Sequence, residues 1–397
     1  MYELQSQHGM LLTLANSPVT SIYRMEKTKR QGFWEKIAHA NITRATAFQD
    51  ADELFVLTDI EAAQLSNIRM RVFIQAGLVG TLGVLFLYVP FHLFGGSLFP
   101  VQDFVVPVLN REISIRPNFL AYSGLLVILE IWYLTYVNIK AVSAISRVCG
   151  HPNPADRYYQ ENLDALIAVG IEKKDKQLDS LGIDPFNNLS KIWLAVFYVL
   201  TKMKAALSNV AFTFLVKRLM GRFALRQFVD FAGIPIYAFW NIWAANRVMH
   251  ETRVRAMAPP LILKCVEALY AEQQDNVEFK AHIYDMLQLI SESKRSYHYN
   301  HFLLSVVLLN KFDIELQENP DFAPDFMSTI AHLSEQTREG FNKLFVFGIM
   351  IDGKISYREK RFLRRLYKLG VIPHPEKKVL EWSHDYFKGK GIDEFLK

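Results

Sequence analysis

The sequence predicts a mainly α-helical integral membrane protein with two transmembrane helices and helical domains on the cytoplasmic side. Three observations carry this. Val72 to Phe94 and Phe119 to Lys140 are apolar over lengths that match the roughly 20 helical residues a bilayer core requires. Outside them, apolar residues recur at helical rather than strand spacing. The chain is 51% hydrophobic yet carries an ordinary 21% of charged residues, so its apolar residues are clumped, as in soluble parts joined to a membrane part.

Residues 1–71 read as an N-terminal cytoplasmic helical segment. The opening stretch is broken by Gln, Ser, His and Asn and lacks the continuous apolar run of a secretory signal. Thr58 followed by Glu61 is a capping box, which starts a helix leading into the first span, residues 72–94. That span holds no formal charge, and Arg69 and Arg71 stand just before it. Residues 95–118 read as an external loop, because Arg111 and Arg116 are offset there by Asp103 and Glu112. The second span, residues 119–140, is followed by Lys140 and Arg147, so the purely basic flanks place both termini in the cytoplasm. Glu130 falls near the middle of this span. A carboxylate there costs roughly 2.5 kcal/mol or more, so it marks either an ion or proton pathway or a hydrogen bond to a neighbouring helix.

Residues 141–191 read as a cytoplasmic helical connector with a turn-rich stretch at Gly182 to Asn188. Residues 192–256 are apolar in short pieces separated by Lys202, Lys204, Lys217, Arg218, Arg222 and Arg226. Pieces of about 10 to 14 residues suit buried, interfacial or re-entrant helices better than spans. The expectation is therefore a membrane-associated or re-entrant region, with a soluble core or an added spanning pair as alternatives. Gly221-Arg222, Gly233, Pro235, Asn241 and Asn246 give this region a loose resemblance to EcsC-like and DUF697-type bacterial membrane proteins. That resemblance implies membrane association, at the bacterial inner membrane, and no defined activity.

Residues 257–397 contain the most informative motif, DGKISYRE at Asp352 to Glu359. An EF-hand loop framed on Gly353 would put Gly348 and Met350 at its first and third ligand positions, which neither can fill. Ser356 and Glu359 instead form a capping box. Phe362, Leu363, Leu366 and Leu369 then repeat at helical spacing, and Gly370 and Pro373 end the helix. The Asp-Gly turn followed by Ser-x-x-Glu resembles TerB-like domains, small helical modules linked with tellurite-resistance proteins. The resemblance makes Asp352 and Glu359 candidate ligands for a divalent metal cofactor, although the second acidic turn such modules often carry is missing. Arg358, Arg361, Arg364, Arg365 and Lys368 form a basic stripe opposite the leucines, suited to anionic lipid or an acidic partner.

No Walker loop, dinucleotide fingerprint, HExxH or nucleophile elbow occurs. Cys149 and Cys265 are far apart and have no His/Cys cluster beside them, and His298 and His301 read as a structural pair. A net charge of +5 suits an anionic leaflet and is too small to argue nucleic acid. The expected role is non-catalytic: a scaffold or accessory subunit of a membrane assembly, with membrane lipids and a protein partner or second copy as contacts. Ion or proton coupling through Glu130, or a metal-responsive switch at the acidic turn, are the alternatives.

Overall fold

The structure is a computed structural model. It describes residues 32–46, 56–106, 111–173, 181–185, 234–296, 298–317, 320, 322–323, 326–368 and 370–396. The apolar pieces between 192 and 233, and Leu369 of the leucine repeat, lie outside the described residues.

The elements are α1 (Phe33–Thr46), α2 (Asp59–Leu98), β1 (Gln102–Val106), β2 (Arg111–Ile115), α3 (Pro117–Val148), α4 (Tyr159–Gly170), α5 (Ile234–Gln273), α6 (Val277–Ala281), α7 (Ile283–Lys294), α8 (Tyr299–Lys311), α9 (Phe326–Ile330), α10 (Glu335–Met350), α11 (Tyr357–Lys368), α12 (Glu376–Lys388) and α13 (Asp393–Leu396). The chain divides into two compact units, one of residues 63–145 and 190–251, the other of residues 1–62, 146–189 and 252–397. The divisions fall inside α2, α3 and α5.

In the first unit, α2 and α3 are both long and apolar enough to cross a bilayer. They extend beyond the apolar stretches 72–94 and 119–140 at both ends, because polar sequence propagates a helix once it has started. The start of α2 is the expected capping box: the Thr58 N–H donates to Glu61 Oε2 at 2.8 Å, and the Glu61 N–H donates to Thr58 Oγ1 at 3.3 Å. Pro90 lies inside α2, and the helix kinks at Phe94, where φ is −127°. A proline cannot donate to the carbonyl four residues back. That carbonyl, Phe86 O, instead accepts from the Tyr122 hydroxyl of α3 at 2.7 Å, so an apolar environment would hold no orphaned acceptor there. The segment 95–118, read as a loop, contains an antiparallel hairpin pairing Gln102 with Ile115 and Val106 with Arg111. Five-residue strands are too short to stand out from a loop by periodicity.

The first stretch of α5 packs against α2 in this unit. A Cβ placed on Gly80 would lie 2.7 Å from the backbone carbonyl carbon of Tyr237, and one on Gly77 would lie 3.1 Å from the Ile242 side chain. Gly77 and Gly80 therefore allow a backbone-to-backbone approach that larger residues forbid.

The second unit is a helical core. Residues 141–191 form more than a connector: α4 packs on α1 and buries Leu163, Leu166, Ile167 and Val169, while Leu181 and Ile183 are buried too. The boundary expected at 256/257 falls inside α5, which continues through Pro259 and Pro260 with Ala256, Met257, Ala258, Leu261 and Ile262 fully buried. Core burial at this density outweighs the roughly 3 kcal/mol that an interior proline costs a helix. Buried polar groups cross-link the layers. Tyr299 Oη donates to Asn162 Oδ1 at 2.9 Å, Arg255 donates to Ala165 O at 3.2 Å, and Asn300 Nδ2 donates to Ile351 O at 2.5 Å.

Candidate functional site

α10 ends at Met350, the chain turns at Asp352-Gly353, and α11 begins. Gly353 sits at φ +71°, a left-handed position that glycine takes without steric cost. The capping box forms as expected: the Ser356 N–H donates to Glu359 Oε2 at 2.7 Å, and the Glu359 N–H donates to Ser356 Oγ at 3.3 Å. Leu363 and Leu366 are buried beneath α11, and so is Glu359, at 1% exposure.

The reason a carboxylate is buried there comes from a different helix. Lys294, the last residue of α7, places its Nζ 2.6 Å from Asp352 Oδ1 and 2.7 Å from Glu359 Oε1. The same nitrogen donates to Ile349 O at 2.9 Å and Lys354 O at 2.8 Å. An ammonium has three N–H groups, so four oxygens exceed its donors. Asp352 and the two carbonyls take them, which leaves Glu359 Oε1 in contact with the ammonium but without a hydrogen-bond donor. The two carboxylates respond oppositely. Burial raises Asp352, but the Lys294 ammonium more than offsets this and holds it below the usual range. For Glu359 burial dominates and its pKa is raised, Lys294 notwithstanding. Asp352 is thus the more acidic of the two carboxyls beside Lys294, and Glu359 the one that takes up a proton first as pH falls.

Asp352 and Glu359 are brought together, as the resemblance requires, but the Lys294 ammonium fills the space between them. A divalent ion would have to expel it, so the residues present do not fit a resident metal. No group of three or more His, Cys, Asp or Glu suited to a metal occurs among the described residues. His301 is buried beside this cluster, its Nε2 2.8 Å from Gly348 O, and burial pushes its pKa down to about 3. His298 Nδ1 accepts from the Asn300 N–H and caps α8, so the pair packs and caps. Cys149 and Cys265 are buried thiols pushed up to about 12 by desolvation.

The opposite face of α11 is exposed and basic. Arg364 Nε meets Glu376 Oε2 at 2.5 Å across to α12. Arg358, Arg361, Arg365 and Lys368 form no ion pair with a described residue. The Arg358 pKa is lowered by partial burial and then by the charge of Arg295 nearby. Tyr357 stands 77% exposed at the start of this face.

In the other unit, Glu130 is half-buried between three helices. Its Oε1 accepts from Asn241 Nδ2 of α5 at 2.7 Å, and its Oε2 would lie 3.6 Å from a Cβ on Gly83 of α2. Around them, each helix carries a cation over an aromatic ring one turn away. Arg69 lies 5.2 Å from the Phe73 centroid on α2, Lys140 5.6 Å from Tyr136 on α3, and Arg247 5.2 Å from Trp243 on α5. Arg116 lies 4.9 Å from Phe91 near the other end of α2.

Sequence reasoning identified Glu130, Asp352, Glu359 and the five cations, and missed Lys294 and the pairing of Asn241 with Glu130. Compared with known proteins, the chain matches no protein family, no curated protein and no solved structure.

Proposed function

We propose that the chain is a membrane-anchored, non-catalytic scaffold or accessory subunit of a membrane assembly, with a TerB-like module as its docking domain. The observation that carries this is the outward face of α11: four cations without an ion-pair partner among the described residues, on a helix whose other face is pinned by buried leucines and the Lys294 cluster. A rigid, pre-positioned charged face is what docking needs.

Placement at a bacterial inner membrane rests on the EcsC-like and DUF697-type resemblance and cytoplasmic termini on the basic flanks; both are part of the same proposal. The cation–aromatic pairs support it. Phe73 to Phe91 on α2 is a rise of about 27 Å at 1.5 Å per residue, close to a hydrocarbon core of about 30 Å. On α5, Ile234 to Trp243 rises about 14 Å, half of that thickness. The beginning of α5 would then be the re-entrant element, lying in one leaflet against Gly77 and Gly80. The test is purification of the native complex from membranes in mild detergent, comparing wild type with the variant R358Q/R361Q/R365Q/K368Q. A partner copurifying with wild type is expected, and its retention by the variant would leave the α11 face to a ligand other than protein; a monomer with nothing attached in both would refute the scaffold reading.

A second reading, proton or ion coupling, is favoured by Glu130 alone, whose Oε2 faces the gap left by Gly83. Glu130→Gln keeps the acceptor for Asn241 and removes the titratable proton. Unchanged flux in reconstituted vesicles would remove this reading. The metal-switch reading requires Lys294 to be displaced, and calorimetry of the wild-type chain with calcium or magnesium tests it directly.

A further inference from the structure

We propose that the exposed face of α11 docks onto the anionic headgroups of phospholipids, which makes a lipid surface the ligand of the docking face; this rests on the reading above. At 100° per residue, Tyr357, Arg358, Arg361, Arg365 and Lys368 fall within one arc about 100° wide, opposite Glu359, Leu363 and Leu366. The arc is cationic from end to end. Arg364 at its edge is engaged by Glu376, and beside Arg358 the positive charge of Arg295 is opposed by the smaller effect of Glu292.

Two features favour headgroups over an acidic protein. The buried core of a protein interface is depleted of charged residues, whereas four cations occupy this arc. The large exposed side chains of α11 with apolar surface are Tyr357 and Tyr367, and both carry hydroxyls suited to the polar headgroup layer. The rest of the face is flexible cations, which suit a diffuse array of phosphates. The leucines of α11 are committed to the core, so the helix would lie on the surface by charge without inserting. Because the chain is held to the same membrane through α2 and α3, the encounter is intramolecular and needs little intrinsic affinity.

The test uses the full chain in lipid nanodiscs. Tyr357→Cys is labelled with a donor fluorophore, Cys149 and Cys265 being buried, and headgroup-labelled lipid is the acceptor. Energy transfer should rise when phosphatidylglycerol is added to zwitterionic discs. It should collapse at about 1 M salt, where the screening length is about 3 Å. It should also be lost in R358Q/R361Q/R365Q/K368Q, whose four missing cations shift the docked-to-free ratio roughly a thousandfold. All four side chains are exposed, and an unchanged thermal melt would show that the fold is kept. Transfer that ignores lipid composition, or survives the substitutions, overturns the proposal. If the same variant nevertheless loses a protein partner on purification, the face docks protein and only the lipid assignment falls. If it loses nothing and transfer is blind to composition, the docking reading falls as well.

Discussion

Replacing Lys294 with Met removes the charge at the centre of the acidic turn while keeping a side chain of comparable length. In the folded protein the side chains of Lys294, Asp352 and Glu359 are 3%, 12% and 1% exposed, so solvent screens little of the interaction. Removing one partner of a buried ion pair costs about 3–5 kcal/mol, because the remaining charge is left uncompensated. A domain of 150–250 residues loses about 2–4 °C of Tm per kcal/mol, so the expected drop is on the order of 10 °C in a melt followed by circular dichroism. The variant K294M/D352N/E359Q, with every charge of the cluster removed, should regain most of the loss. The four oxygens left in K294M suit a hard cation, so millimolar calcium should raise its Tm and leave wild type unchanged. A drop under about 2 °C for Lys294→Met would refute the claim that the ammonium holds the turn together. Calcium stabilising the wild type would refute the claim that Lys294 excludes metal.

Glu359→Gln should change the pH dependence more than the stability itself, since Gln retains the capping box. The raised folded pKa of Glu359 gives stability that is complete below its ordinary value of 4.5 and lost as pH rises through the folded value; the depressed Asp352 gives stability present above 3.8 and lost as pH falls. Tm measured from pH 3 to 9 should therefore decline less on the alkaline side in Glu359→Gln, and the acid limb should persist; identical profiles would contradict the assignment of the proton to Glu359. Gly80→Val should force α2 and α5 apart, costing about 1–3 kcal/mol in a detergent unfolding titration, since its Cβ would meet the Tyr237 backbone at 2.7 Å. Glu130→Leu and Asn241→Leu should be non-additive in a double-mutant cycle by about 0.5–1.5 kcal/mol, the range of single hydrogen bonds between helices in a membrane. Full additivity would show that the 2.7 Å contact carries no energy.

Local signals were legible in the sequence because they depend on near neighbours. Both capping boxes formed at the residues that spelled them, and the polarity of α11 follows from a three-to-four-residue repeat. Partition into units was less legible. Residues 141–191 looked like a connector because they are charged and turn-rich, and the buried face of α4 becomes visible only when α1 and α8 are placed against it. The boundary expected at 256/257 falls inside α5, where tertiary burial overrides the local helix breakers Pro259 and Pro260.

Lys294 and Asn241 mark where reading along the chain stops working and where a physical argument could still have gone further. A buried carboxylate needs a compensating partner because desolvation is costly. Asp352 and Glu359 together need positive charge, but Lys294 lies 58 residues from Asp352, and 45 Lys and Arg residues compete for the role. No spacing rule selects one, since the contact depends on α7 ending beside the turn. Glu130 differs. In an apolar span it needs a polar partner from another apolar segment, and few residues qualify. Asn241, set in Phe239-Trp240-Asn241-Ile242-Trp243, is such a residue, a polar intrusion in an apolar run. Matching such intrusions across apolar segments joins α3 to α5 on residue chemistry alone, because where polar groups are scarce, the demand for partners becomes a contact prediction.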